Sequence, residues 1–328
     1  MGRVLVSVSH FNTLCKEAIG LLEEKGHEVI FDEKMNIFPA YSFDELQKLL
    51  PETDACIVGL DDYQNPAVWE ISDRLIGVTK FGVGVDNFNL KAAAQHGKYV
   101  ANCPGGNSNS VAELTVGMII NVLRFIAPLD MAMKNCEWPR NVGEEMEGKT
   151  VGLYGFGAIS RLVAKKLRSF DVELIAYDPY PNEAAAKELG VRLVSEKEVI
   201  TQSDILSLHA PATSENHHLF NRTTFSEMKN GAYLINAARG ALVNLEDLAE
   251  ALKSGKLKGA ALDAFEGEGP GYLKGSLIVE CKNILLTPHT GAETYDAYRK
   301  VGLIAAGNVI DMLDGKTPKY WVNRQYFT

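Results

Sequence analysis

Short apolar or β-branched runs alternate with amphipathic stretches along the whole chain, and that alternation limits the fold more than any other feature. Near-continuous apolar strands are buried on both faces only when helices cover a mostly parallel sheet. Arg3–Val8 reads as a strand. Asn12–Lys25 then places Leu14, Ala18, Leu21 and Leu22 at helical spacing before Gly26 stops it. Strand patterns return at His27–Phe31, Ala55–Leu60 and Leu75–Val78. After Ala101 the segment NCPGGNSNS reads as a loop, and Val111–Phe125 as a helix apolar on nearly every side. Beyond a polar stretch over 134–148, strands are expected at Thr150–Tyr154, Glu173–Tyr177, Ile205–Leu208, Ala232–Asn236, Ala260–Leu262 and Asn283–Leu286. A last apolar helix, Ala297–Leu313, leads to an aromatic tail of Tyr320, Trp321, Tyr326 and Phe327, expected to pack on the N-terminal part.

Composition removes several classes of function. The formal net charge is −9 over 328 residues, which argues against a nucleic-acid or anionic-membrane partner. Five cysteines are scattered with no CxxC pair, so no metal site is expected, and free thiols suit a reducing cytoplasm. The start, MGRVLVSVSH, shows no signal-peptide core, and the longest apolar stretch, near Leu114–Leu123, is far short of a bilayer span.

One strand-to-helix turn carries a recognisable chemistry. Residues 151–160 read VGLYGFGAIS. Gly155 permits the tight turn, and Gly157 lets the backbone approach a pyrophosphate. The helix start at Ala158 and Ile159 offers free N–H groups and a positive dipole end. Ser160 stands where close helix–strand packing needs a small residue. Asp178 ends the next strand, 23 residues after Gly155, where an acid accepts the ribose hydroxyls and repels a 2′-phosphate. That pattern points to NAD rather than NADP. The first strand-to-helix turn, SVSHFN, has no glycine, so the central part of the chain is the dinucleotide candidate.

Three later strand ends carry polar residues where an open α/β sheet places its active site. Arg239 follows LINAA, Asp263, Glu266 and Glu268 lie in LDAFEGEGP, and His289 lies in LLTPHTGAE. An Arg binds a carboxylate or polarises a carbonyl. A His donates a proton to the carbonyl oxygen as hydride arrives, and an acid orients it and favours its protonated form.

Taken in order and spacing, these motifs resemble the D-isomer-specific 2-hydroxyacid dehydrogenases over nearly the whole length. FGVGVDNFNL, NCPGGNSNSVAELTVGMI and LHAPATSEN join the motifs above in that likeness. The resemblance implies two doubly wound parallel-sheet domains of the α/β class. The central one, 102–291, would be a Rossmann NAD-binding domain inserted in a flavodoxin-like substrate domain of 1–101 plus 292–328. It implies Arg239 on substrate, His289 as acid and base, and Glu268 as its partner. Val83 and Gly84 would hold the substrate carboxylate through their backbone; apart from the resemblance, Lys80, just before that loop, is a substrate-side cation candidate. Ala158 and Ile159 would lie on the pyrophosphate, His209, Ala210 and Pro211 on the adenosine side, and Ala237, Ala238, Asp263 and Gly291 on the nicotinamide side. It also implies a homodimer through the 111–125 helix, with Trp138 and Arg140 in the adjoining loop.

The reaction expected is hydride transfer between NAD and a small 2-hydroxy or 2-oxo acid such as phosphoglycerate, hydroxypyruvate or glyoxylate. Two readings compete on the same fold. A formate- or phosphite-type dehydrogenase would carry an amide in place of Glu268 in the formate branch. An NAD-sensing corepressor would have no need of the intact Arg239, Glu268 and His289 set. The sequence departs from the family pattern at Ser160, at Ala264 and at the 268–270 run EGP. The segment Gly59–Asp61 lacks the Arg that phosphoglycerate enzymes often carry there.

Overall fold

A computed structural model describes residues 1–32 and 40–327. They divide into two compact units, Met1–Asn107 with Ala292–Thr328, and Ser108–Gly291.

Among its described residues the first unit has five parallel strands: β1 Arg3–Ser7, β2 Glu28–Phe31, β3 Ala55–Val58, β4 Gly77–Lys80 and β5 Tyr99–Ala101. Their order β2-β1-β3-β4-β5 is that of flavodoxin-like sheets. Val4, Leu5 and Val6 of β1 and all four residues of β3 are buried, as strands covered on both faces must be. On one face the helices Lys16–Glu24 and Tyr295–Leu313 bring Ala18 and Leu22 against Val301, Ala305 and Val309. On the other, Tyr63, Trp69 and Phe88 pack ring to ring, with Tyr63 centroids 5.3 Å from Trp69 and 5.4 Å from Phe88.

The first helix expected from sequence is two helices, Phe11–Leu14 and Lys16–Glu24. The break falls at Cys15, where φ is −108° and ψ 34°. There the Cys15 thiol donates to the Tyr298 carbonyl at 3.3 Å. A Cβ on Gly302 would lie 2.9 Å from that sulfur, so close packing on the last helix outweighs helix continuity. The strand expected at Leu75–Val78 begins at Gly77 instead, and Leu75 is a core side chain ahead of it.

The C-terminal tail does pack on this unit. Tyr99 of β5 lies against Trp321 and Phe327, with centroids 5.1 and 5.4 Å away. Fully buried Asn323 clamps the contact: its Oδ1 accepts the Val100 N–H at 2.9 Å and the Trp321 Nε1–H at 2.7 Å, while Nδ2 donates to the Lys98 carbonyl at 3.0 Å.

The second unit holds seven parallel strands among its described residues: β6 Thr150–Tyr154, β7 Glu173–Tyr177, β8 Arg192–Leu193, β9 Ile205–Leu208, β10 Ala232–Asn236, β11 Leu257–Leu262 and β12 Ile284–Leu286. Their order is β12-β11-β10-β9-β6-β7-β8, so the winding reverses between β6 and β9. An open sheet binds its ligand in the crevice beyond the strand ends at such a reversal. The helix Ser108–Arg124 uses much of its apolar surface inside this unit, with Ala112, Met118, Ile119, Val122 and Leu123 in one core with Val151, Leu153, Val163 and Leu167. The chain then bends by 66° into Ile126–Lys134. Apolar side chains stand exposed there and in the loop beyond, at Ile126, Met131, Met133, Trp138 and Val142. Among the described residues no single helix is long and apolar enough to cross a membrane.

Asn323→Ala leaves the buried Val100 N–H without its acceptor, which costs about 1–3 kcal/mol. The urea midpoint of the full chain is expected to fall accordingly; an unchanged midpoint would mean that the tail adds nothing to stability.

Candidate active site

The turn at the sheet reversal is shaped by backbone alone. Gly155 has φ +94°, and a Cβ on it would lie 2.8 Å from the Ala210 nitrogen. The chain leaving β9 at His209–Ala210 thus packs directly on the glycine. Asp178 braces the same turn, its Oδ2 accepting the Phe156 N–H at 2.7 Å and its Oδ1 the Tyr180 N–H at 2.8 Å. Each carboxylate oxygen keeps a further lone pair for a ribose hydroxyl.

Gly157 caps the ten-residue helix Ala158–Leu167 with no side-chain hydrogen bond. A Cβ there would meet nothing within 4 Å, so the helix start at Ala158 and Ile159 is open on that side. Ser160 is fully buried beneath that helix start. Arg161, which the sequence reading passed over, donates from Nε to the Gly157 carbonyl at 3.3 Å and adds a cation beside the turn. Burial pushes the His209 imidazole down to about 4, so it is an uncharged wall, with Nε2 3.0 Å from Ser207 Oγ. The next residues are held by Asn216, whose Nδ2 donates to the Pro211 carbonyl at 2.9 Å.

Arg239, Glu268 and His289 follow β10, β11 and β12, three neighbouring strands of the same sheet. Asn236, at the end of β10, shapes the first turn: its Oδ1 accepts the Ala238 N–H at 3.0 Å and its Nδ2 donates to the Arg239 carbonyl at 2.9 Å. Arg239 Nη1 donates to the Ala238 carbonyl at 2.7 Å. A Cβ on Gly240 would fall 1.9 Å from the Phe265 carbonyl carbon, so the two turns touch backbone to backbone. Glycine is required there by space alone, and the contact brings the Arg239 turn against the loop that carries Glu268.

Asp263, only 2% exposed, organises the third turn. Its Oδ1 accepts from Thr287 Oγ1 at 2.6 Å and from the Thr290 N–H at 2.8 Å, and its Oδ2 accepts the Gly291 N–H at 2.8 Å. A Cβ on Gly291 would lie 3.0 Å from that same Oδ2. His289 sits between these anchors in the left-handed region, φ +54°. Its Nδ1 is 2.8 Å from both Glu268 oxygens. Partial burial pushes the Glu268 carboxyl up. The hydrogen bond and charge of His289, the Phe265 N–H and the Arg239 charge outweigh this and hold it below the usual carboxylate range. Glu266 points elsewhere, to His217 and His218.

The remaining expected residues lie in the first unit. Lys80 ends β4, and its ammonium donates to the Gly59 carbonyl. Val83 is partly exposed, and its carbonyl accepts Asn102 Nδ2 at 2.8 Å. The Val83 and Gly84 amides donate to no backbone carbonyl among the described residues. Asp61 is fully buried, bonded to Ser7 Oγ and the Tyr41 N–H, so it belongs to the scaffold.

Residues 116–291 match the family model of the D-isomer specific 2-hydroxyacid dehydrogenase, NAD binding domain. The chain belongs to that family. The matched residues fall inside the second unit, Ser108–Gly291. Over 305 residues the chain is 35% identical to the hydroxypyruvate reductase of Thermotoga maritima, covering 92% of this chain and 96% of the relative. It is 33% identical over 312 residues to the D-3-phosphoglycerate dehydrogenase of Archaeoglobus fulgidus, covering 94% of this chain and 58% of the relative. The chain spans about three fifths of the length of the two archaeal D-3-phosphoglycerate dehydrogenases it matches. Among solved structures it is similar to the TT0316 protein of Thermus thermophilus, with TM-score 0.86, 31% identity, and 98% and 99% of the two chains covered.

Asp263→Asn sets an amide NH₂ against an N–H that the carboxylate now accepts. Loss of one hydrogen bond to a charged group is worth about 1.5–3 kcal/mol, so turnover of a 2-oxo acid is expected to fall about 10–100-fold. Steady-state kinetics checks this, and unchanged turnover would show that the His289 turn holds itself.

Proposed function

We propose that this chain interconverts a small D-2-hydroxy acid and its 2-oxo acid, with NAD as the hydride carrier. The observation that carries the reading is the His289 Nδ1 contact with Glu268, 2.8 Å to both oxygens, on the strand end next to the Asp263 turn. Holding Nδ1 fixes the ring and leaves Nε2 for proton transfer. In reduction His289 Nε2 gives its proton to the carbonyl oxygen; in oxidation it takes the hydroxyl proton. Arg239 polarises that carbonyl or holds the substrate carboxylate, and in the first unit the Val83 and Gly84 amides are proposed to bind the carboxylate, with Lys80 adding positive charge.

Bound NADH would supply the hydride to the carbonyl carbon. Gly155, Gly157, Ala158 and Ile159 would seat its pyrophosphate and Asp178 its adenosine ribose. His209, Ala210 and Pro211 would wall the adenosine side, and Ala237, Ala238, Asp263 and Gly291 the nicotinamide side.

An unphosphorylated substrate, hydroxypyruvate or glyoxylate, is favoured over phosphohydroxypyruvate. Asp61 is committed to the scaffold, and Lys80 is drawn onto the Gly59 carbonyl, so the segment 59–62 offers a phosphate little. A homodimer is the proposed assembly. Trp138 and Val142, 77% and 88% exposed, extend an apolar surface next to the 111–125 helix that a second copy would cover. The five free thiols suit the reducing cytoplasm.

Turnover with NADH over a panel of hydroxypyruvate, glyoxylate, pyruvate and phosphohydroxypyruvate tests the reading. Hydroxypyruvate or glyoxylate is expected to give the highest kcat/KM, and a chain inert toward all four would overturn this reading in favour of a binding protein or a formate- or phosphite-type dehydrogenase. NADH is expected to be strongly preferred, and Asp178→Asn to narrow its advantage over NADPH about 10–100-fold, as loss of one charged hydrogen bond implies. Equal use of both cofactors by the parent chain would remove Asp178 from that role.

The pH dependence follows from Glu268. A carboxyl held below its usual range contributes above that range and is lost only as pH falls through its lowered value. Reduction is therefore expected to show no acid-side loss from about pH 7 to about pH 5, above the ordinary Glu value. Glu268→Gln keeps the shape but removes the carboxylate that holds Nδ1 and orients the ring, and kcat/KM is expected to drop at every pH in that window. An identical pH profile in parent and variant would separate Glu268 from the proton transfer.

A further inference from the structure

Outside the catalytic trio, the second unit gathers three ligating side chains. His217 and His218 lie in the chain between β9 and the Arg222–Glu227 helix, and Glu266 on the turn after β11. His217 Nε2 is 2.7 Å from Glu266 Oε1, and His218 Nε2 is 2.7 Å from Glu266 Oε2. The three ligand atoms all lie within 4.8 Å of one another. Consecutive side chains in extended backbone point apart. His218 instead adopts φ +50°, and the two rings stack with centroids 3.9 Å apart. The turn is fixed from behind: the His218 N–H donates to the Ala241 carbonyl at 2.7 Å, and Asn221 Nδ2 donates to the His218 carbonyl at 2.8 Å. Neither cofactor binding nor proton transfer uses any of the three.

We propose that His217, His218 and Glu266 form a binding site for a divalent transition-metal ion, zinc being the ion the ligand set suits best. Two imidazole nitrogens and one carboxylate oxygen are donors that zinc takes, whereas magnesium and calcium prefer oxygen alone. Zinc–nitrogen and zinc–oxygen bonds of about 2.0–2.2 Å put neighbouring ligands of a tetrahedron about 3.4 Å apart. The present separations, 2.7 Å for the hydrogen-bonded pairs and at most 4.8 Å overall, bracket that spacing. His217 and Glu266 are exposed, so the side chains can spread by the small amount required and water can take the fourth position.

Binding replaces two ring N–H···O contacts with metal bonds. Each neutral ring then carries its proton on Nδ1, where water can accept it, and no proton need leave the protein. One carboxylate cannot balance two imidazolium rings, but it shares a dication with two neutral ones. The ion would tie the 217–218 segment to the turn that bears Glu268, two residues beyond Glu266. Any ion that binds the folded form alone stabilises it by mass action.

The test uses the untagged full chain, stripped with a chelator. Zn²⁺ is titrated by calorimetry, and Co²⁺ by visible absorption. One equivalent is expected to bind in the micromolar range, with the d–d bands of a four-coordinate ion. At saturating Zn²⁺ the Tm is expected to rise by about 2 °C or more, and Mg²⁺ to give no rise. His217→Asn and Glu266→Gln are expected to weaken Zn²⁺ binding at least about tenfold while metal-free oxo-acid turnover changes little. Should Glu266→Gln fail to fold, His217→Asn decides alone, since its ring is at the surface. No saturable binding up to about 1 mM overturns the site. Equal affinity in the parent and the variants does so too, as does loss of binding on Cys136→Ser, which would place the ion on that exposed thiol.

Discussion

The buried carboxylate of Asp263 is the interaction on which the catalytic side depends. Removing such a charge from water costs several kcal/mol unless hydrogen bonds replace the lost hydration. Here backbone amides of Thr290 and Gly291 and the Thr287 hydroxyl do so. The same bonds close the turn around His289 and hold it at φ +54°, a conformation that a histidine chain would otherwise leave. Asp263, expected beside the nicotinamide, is in the structure the fastener of the turn that carries His289. Its partners lie on the turn after β12 while it stands just past the end of β11, so the pairing of those two strands sets which groups meet.

Close backbone approach does the corresponding work elsewhere in the second unit. Gly155 lies on the His209–Ala210 peptide, and Gly240 on Phe265. Each contact joins two strand-end turns that are distant in sequence. A side chain at either glycine would push apart the turns that meet there, the Gly155 turn and His209–Ala210 in one case and the Arg239 turn and the Glu268 loop in the other. Asp178 belongs to the first of these joints as a brace on the Phe156 amide. The carboxylate of Asp178 thus has a scaffold role of its own.

Much of this was legible because strands buried on both faces leave an unmistakable apolar run. β6, β7, β9 and β10 have the bounds that the sequence implies. The three-residue β5 and the two-residue β8 carry too few side chains for any pattern, and both sit at sheet edges. Arg239, Glu268 and His289 were legible as polar residues at strand ends, and the structure brings Glu268 and His289 into contact. The cradle of Asp263, the pinning of Arg239 by Asn236, and the pairing of Glu266 with His217 and His218 were not. Each rests on side chains meeting across turns, and the last also rests on a left-handed residue at a histidine, which no propensity announces.

The departures from the family's sequence pattern fall where size governs and charge does not. Ser160 is fully buried under the helix start and Ala264 nearly so beside Asp263. Both are small side chains in closely packed places. The positions that carry charge into the site, Arg239, Glu268 and His289, are held by contacts that tolerate no such latitude. Gly240 leaves no room for a Cβ, and the Asp263 oxygens accept from three different residues of one turn. Volume thus governs the two departing positions, while the turns that carry Arg239, Glu268 and His289 are held by donors, acceptors and close backbone contacts beyond three adjacent strands.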